Sequence, residues 1–287
     1  MPLRFPSVAG MFYPADEAEC RRQVEDCVRE SATLPKLPPI RGGVVPHAGW
    51  IFSGYTAGRL YAALAAQEPP QTVVLFGAVH SWGVRGASLY GEGRWRTPLG
   101  DISIDDALAQ AVLQEGRGLV VNRPEAHATE HSIEVQVPFV QYLFPEASIL
   151  PISMPPLPEA QRVGRAVARA VKALGRKAVA IGSSDLTHYG PRFGLTPAGV
   201  GQRGLEWLRQ NDARLLDLVV QMRAEEIVPE AERRLNACGA GAIAAAIAYA
   251  AEIGATRGVL LHYTNSYEVM PSSPPTDIVG YGAVALV

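Results

Sequence analysis

The stretch "VAIGSSDLTHYG", residues 179–190, sets two serines, an aspartate, a histidine and a tyrosine directly behind a short apolar run. Such a run reads as a buried strand, and in open α/β sheets ligands bind outside the carboxyl ends of the strands. Two other histidines repeat the placement: His47 follows "GGVVP" and His80 follows "TVVLFGAV", each with glycine or serine nearby. Three histidines from distant parts of the chain, each just past a strand-like end, imply one shared polar site. In it His188 would be a general acid/base near neutral pH, oriented by Asp185. Ser183 and Ser184 would hydrogen-bond the groups that hold the pocket floor.

Two further stretches carry chemistry. "EAHATEHSIEV" spaces His127, Glu130, His131 and Glu134 at i, i+3, i+4 and i+7, one face of a helix. Pro124 would sit in its first turn, Ile133, Val137 and Val140 would cover the core side, and Pro138 interrupts it. His127, Glu130 and His131 also fit the His-x-x-Glu-His pattern of a zinc-peptidase class, although three fixed residues match by chance often enough. In "RRLNACGAGAIAAAIAYAAEIG" the composition from Gly239 onward predicts a buried alanine-rich helix capped by Asn236. Cys238 would then lie in the first turn, where the helix dipole and free N–H groups favour the thiolate. Phosphate loops of the GxxxxGK[ST] and GxGxxG types are missing, as is GxSxG, which disfavours nucleotide and serine-hydrolase readings.

The elements that must position these residues alternate along the chain. Apolar runs at 42–45, 71–77, 147–153, 177–182, 257–263 and 279–287 read as strands. Helical patterns lie between them, such as residues 159–175, whose Val163, Val167, Ala170, Val171 and Leu174 form a stripe of period 3.6. The alternation predicts an α/β chain with a largely buried sheet covered by helices on both faces. The proline-rich patches at 34–39 and 154–159 are short enough to be loops, so a single domain over residues 1–287 is expected. With 28 acidic and 26 basic residues and no basic block, the chain offers nothing that suits nucleic acid. The most apolar stretch, 237–251, is too short to span a bilayer, and the N-terminus makes a poor signal peptide. Three cysteines without CxxC spacing suit a reducing cytoplasm, with Cys20 and Cys27 as helix core residues. Trp50, Tyr55, Trp82, Tyr189 and Tyr267 are candidate pocket walls for which ordinary packing is the plainer role.

Six ordered stretches, "PSVAGMFYP", "VPHAGWIFSG", "TPLGDISID", "HATEHSIEVQVPFVQ", "GSSDLTHYG" and "NACGAG", resemble the hallmarks of the MEMO family over essentially the whole chain. Bacterial and archaeal members are called AmmeMemoRadiSam system protein B. The resemblance implies a three-layer α/β/α sandwich similar to LigB-type class III extradiol dioxygenases, which are non-haem iron(II) enzymes. It also implies a metal site with ligands His47, His80 and Cys238, with Asp185 and His188 lining the same pocket and Glu130 and His131 close by. Where the dioxygenases carry a glutamate ligand, this chain follows the MEMO pattern with Cys238. Relatives more often read Pro-Ser-His-His or Pro-Asn-His where this chain has Ala78-Val79-His80-Ser81.

A divalent metal is therefore the expected cofactor, iron(II) first, with zinc or copper as alternatives, because a thiolate shifts preference towards softer ions. It also offers O₂ an oxidisable sulfur, so ring cleavage is not carried over with the fold. Metal-dependent redox or hydrolytic chemistry on an unknown substrate is the leading expectation. One alternative is a non-catalytic protein that reuses the pocket for a small molecule or peptide. Another is a metal-free enzyme with Cys238 as nucleophile and His47 or His188 as base. Family association adds a radical SAM enzyme and an AMMECR-type protein as expected partners.

Overall fold

The computed structural model describes residues 2–29, 36–271 and 274–287. In chain order the strands are β1 (Leu3–Arg4), β2 (Gly42–Val45), β3 (Thr72–Gly77), β4 (Ala87–Leu89), β5 (Arg94–Thr97), β6 (Gly100–Ser103), β7 (Val120–Asn122), β8 (Ser148–Ser153), β9 (Ala178–Ser183), β10 (His188–Tyr189), β11 (Gly258–Asn265) and β12 (Ile278–Leu286). The helices are α1 (Glu17–Arg29), α2 (Trp50–Ala65), α3 (Asp106–Glu115), α4 (His131–Glu134), α5 (Val137–Leu143), α6 (Ala160–Ala173), α7 (Gln202–Val220), α8 (Ala224–Arg234), α9 (Ala240–Glu252) and α10 (Ser266–Val269).

Among the described residues nine strands form one mixed sheet in the order β10-β12-β2-β9-β3-β8-β4-β7, with β11 paired along β12. At its centre β2, β9, β3 and β8 run parallel, which is why their sequences read as unbroken apolar runs. Adjacent strand residues divide between two cores. Val44, Val74, Phe76 and Ala180 pack under α3, α6, α7, α8 and α9, while Val45, Val73, Leu75, Val179 and Ile181 pack under α1, α2 and α5. Each valine, leucine, isoleucine or phenylalanine among them, fully buried, contributes about 1.5–3 kcal/mol. Helices on both faces give the layered α/β arrangement that the alternating sequence predicts. Cys20 and Cys27 lie buried in the α1 layer, as expected of small hydrophobes.

Differences from the sequence reading sit at the edges. β1, β5 and β6 form a separate three-stranded sheet that hydrophobic runs did not announce. Leu174, expected to extend the α6 stripe, is that helix's C-cap and is exposed. The proline-rich patch at 154–159 lies in irregular chain and turn up to the start of α6, and the one at 34–39 begins outside the described residues. Among the described residues no helix is long and apolar enough to cross a membrane.

The parallel register sets the site. Val45 pairs with Ser183, and Phe76 with Gly182, so β2, β9 and β3 end together. The segments leading to His47, Asp185 and His80 therefore leave the sheet at one carboxyl edge.

Candidate metal centre

His47 is the most deeply held member. Its Nδ1 lies 3.1 Å from Ser183 Oγ. The Ser183 hydroxyl donates its one hydrogen to Ser132 O at 2.7 Å and accepts from Gln136 Nε2 at 3.1 Å. Only an acceptor position remains for the imidazole, so His47 Nδ1 carries the proton and Nε2 presents its lone pair. That Nε2 lies 3.1 Å from Cys238 Sγ. Burial, reinforced by neighbouring His80, lowers the His47 pKa to about 3, so the ring is neutral across the physiological range.

His80 is fixed by a different partner with the same result. Its backbone N–H donates to Glu130 Oε2 at 2.6 Å, and its Nδ1 meets Glu130 Oε1 at 2.9 Å. Burial opposes ionisation of Glu130, but the hydrogen bonds and charge of His80 outweigh it and hold the carboxyl well below the usual range. A carboxylate only accepts, so His80 Nδ1 is the donor and Nε2 is left for a ligand. Burial would depress His80; its bond to Glu130 reverses the sign and raises it. His131, the first residue of α4, stacks on His80 with ring centroids 4.5 Å apart and meets the His47 ring edge-on at 5.4 Å. Burial, then the proximity of His47 and His80, lowers its pKa to about 4.

Cys238 approaches from the other face of the sheet, on the turn between α8 and α9. The N-cap of α9 is Gly239, without a side-chain cap, so Cys238 precedes the helix instead of lying in its first turn. Asn236, expected to cap, instead turns its amide inward to Asn211 O at 3.0 Å. Burial and the nearby Asp185 charge push the Cys238 thiol up. The expectation of a preformed thiolate is thereby corrected: without a cation beside it, the sulfur stays protonated.

Asp185 accepts from the backbone N–H groups of His47 at 2.7 Å and Ala48 at 3.1 Å, both on Oδ1. Its Oδ2 faces His188 Nε2 at 3.9 Å, too far for a hydrogen bond. Burial raises Asp185 and lowers His188, each against the pull of the other. The two serines divide the support: Ser183 positions His47, and Ser184 Oγ accepts from Gly239 N at 2.9 Å to hold the Cys238 turn. Tyr189, by contrast, points out of the pocket and bonds Gly199 O at 2.6 Å.

The single amphipathic helix expected at 124–134 does not form. A 3₁₀ turn, Pro124–His127, is followed by a break and then by α4. The break separates the motif's members. His127 is buried against Tyr90 and Trp95 and bonds Ser88 O at 2.8 Å, away from the cluster. Glu134 is committed to Arg4 at 2.8 Å and to Ser7, Val8 and Tyr13. Glu130 and His131 alone reach the site, so a two-histidine zinc-peptidase motif is ruled out here by geometry. The residue that sequence reasoning missed is Gln136, a buried amide in an apolar run that ties Ser183 to Pro46 O. Its only signal is a lone polar residue inside "VQVPFV".

Four of the six histidines thus converge with one cysteine and two carboxylates. The side-chain donors of His47, His80 and Cys238 all lie within 4.8 Å of one another, as do those of His80, Glu130 and His131 and those of Asp185, His188 and Cys238. A cleft of about 730 Å³ opens beside His80 past Ser81, Trp82, Arg123 and Thr129. Of the candidate walls, Trp82 is fully exposed at its lip, whereas Trp50 is buried in the core.

The family sequence model described as "Memo-like protein" matches residues 4–285. The chain belongs to this family. A MEMO1 family protein of Pyrococcus abyssi is 37% identical and one of Thermococcus kodakarensis 39%, the alignments covering 99% and 98% of both chains respectively. A crystal structure of an uncharacterized protein from Escherichia coli K12 shares the fold with a TM-score of 0.55 at 13% identity, covering 84% of this chain and 99% of that one. The cluster at the carboxyl edge is therefore that of a Memo-like protein, and its donor set of two histidines and a thiol suits a borderline or soft divalent ion.

Proposed function

We propose that this Memo-like protein holds one divalent metal ion through His47, His80 and Cys238 and uses it in redox chemistry on a small substrate. The observation that carries this reading is the matched presentation of both histidines. Each spends Nδ1 on an acceptor fixed by the fold, Ser183 or Glu130, and leaves Nε2 for a ligand. Metal-ligating histidines are held in this way by their outer partners. Iron(II) would supply one-electron chemistry and Lewis acidity, whereas zinc would supply only the second. The chain's own residues do the rest: Glu130 keeps His80 oriented, and His131 walls the pocket beside it. His188, a third exposed, takes or gives a proton at the open side.

The test is elemental analysis of untagged protein purified without oxygen, beside Cys238→Ala and His47→Ala. About one metal per chain, lost in both variants, supports the reading. Protein that stays metal-free after reconstitution with iron, zinc and copper overturns it. A second reading is a ligand- or peptide-binding protein that keeps the pocket without turnover, which the open cleft beside His80 favours. A metal-free cysteine enzyme is the weakest of the three, because burial holds Cys238 as the thiol. The radical SAM and AMMECR-type partners suggested by family association would be sought by co-purification.

A further inference from the structure

The geometry points to a second cation seat in the same pocket, formed by Asp185, His188 and Cys238. It rests on the metal reading above and reassigns His188 from acid–base work to ligation when that seat is filled. Asp185 is nearly fully buried, and both hydrogen bonds to its carboxylate fall on Oδ1. Among the described residues no hydrogen bond reaches Oδ2. Opposite it, His188 Nε2 is buried without a hydrogen-bond partner. Buried polar atoms in folded proteins almost always have a partner, so the orphaned His188 Nε2, 3.9 Å from that carboxylate oxygen, marks the place of a missing one.

The chemistry of the three donors specifies that partner. A carboxylate oxygen, an imidazole nitrogen and a sulfur lie within 4.8 Å of one another. A water could bridge Oδ2 and Nε2, but it would leave the sulfur a protonated thiol. A cation satisfies all three at once and stabilises the thiolate. This mixture of hard, borderline and soft donors suits zinc, iron(II) or cobalt(II). The other flank of the pocket offers no equal seat. Glu130 already accepts from His80 N, His80 Nδ1 and Ser132 N, which takes three of its roughly four lone-pair sites, both of those on Oε1 included. Cys238 belongs to both proposed seats, and its sulfur would be shared between two ions.

Apoprotein titrated with cobalt(II) or zinc(II) under argon, freed of loose metal by gel filtration and assayed by elemental analysis, tests the seat. Visible absorption of the cobalt form supplies the sulfur-ligation signature. Wild type is expected to hold two ions per chain, with His188→Ala and Asp185→Asn holding one and Cys238→Ala none. His188 is partly exposed, so its truncation leaves the fold intact even where Asp185→Asn does not. Saturation of wild type at one ion, or two ions retained in His188→Ala, overturns the second seat and leaves the first standing. Wild type that binds none overturns both.

Discussion

Glu130 and Ser183 show how a single residue settles the chemistry of a neighbour. Glu130 accepts from His80 N, His80 Nδ1 and Ser132 N. Glu130→Gln keeps the volume but turns one acceptor oxygen into an NH₂ group facing a donor. Metal affinity should fall about 10–100-fold with the fold retained, as for other outer partners of ligating histidines. Chelator competition measures it, and an unchanged affinity would show that His80 orients without its carboxylate. Ser183→Ala acts on the opposite ring. It strands the His47 Nδ1–H and one Gln136 proton in a buried space, at a cost of about 1–3 kcal/mol for the lost acceptor. Urea unfolding should show that loss, and no change in midpoint would mean that His47 adopts the other tautomer.

Elements place these residues, and the sequence announces the elements unequally. The parallel strands β2, β3, β8 and β9 are legible because both their faces are buried. The carboxyl-edge positions of His47, His80 and Asp185 follow from them. The break between His127 and α4 is illegible, because period-3.6 spacing continues across it. Only tertiary partners decide it: Ser88 and Trp95 claim His127, while Arg4 claims Glu134. The Cys238 turn is half legible, since "NACGAG" marks a helix start but not which residue caps it. Gly239 is required there by contact: a Cβ would stand 2.4 Å from Ser183 O and 2.9 Å from Ser184 Cβ. Gly239→Ala must push the α8–α9 turn off β9, costing about 1–3 kcal/mol as other overpacking does. The same shift carries Cys238 away from His47. A lowered melting temperature should therefore come with lost metal, and a lowered one with full metal content would uncouple the turn from the site.

Across the whole molecule charged groups are placed differently at the two edges of the sheet. The chain's three lysines, Lys36, Lys172 and Lys177, line a cavity of about 1550 Å³ at the amino edge, where α1, α2, α6 and α9 end. Cations there complement the negative ends of the helix dipoles, and Lys172 and Lys177 also pair with Glu252 and Glu68 of the same cavity. At the other edge Glu134 is matched by Arg4, but other buried carboxyl groups have no lysine or arginine partner among the described residues. Asp212 of α7 is the clearest. Its carboxyl joins three elements by accepting from Thr187 N at 2.9 Å and Tyr263 OH at 2.8 Å. Burial, only partly offset by those bonds, raises its pKa from 3.8 to about 7. A carboxyl whose pKa is raised by folding favours the folded state below its unfolded pKa, and that contribution is lost as pH rises through the folded value. The loss by mildly alkaline pH is on the order of 4 kcal/mol. His47 and His131 act in the opposite direction, since their lowered pKa values stabilise above 6.5 and fail as pH falls towards about 3 and about 4. The wild-type curve alone mixes these effects, but its difference from Asp212→Asn isolates one. Asparagine still accepts from Thr187 N and never ionises. Urea unfolding at about pH 5 and about pH 8 should show the variant gaining about 3 kcal/mol more on wild type at the higher pH, part of the loss being already in place at pH 5. Equal gaps at both values would mean that Asp212 keeps its charge in the fold, neutralised by a group other than those that now surround it.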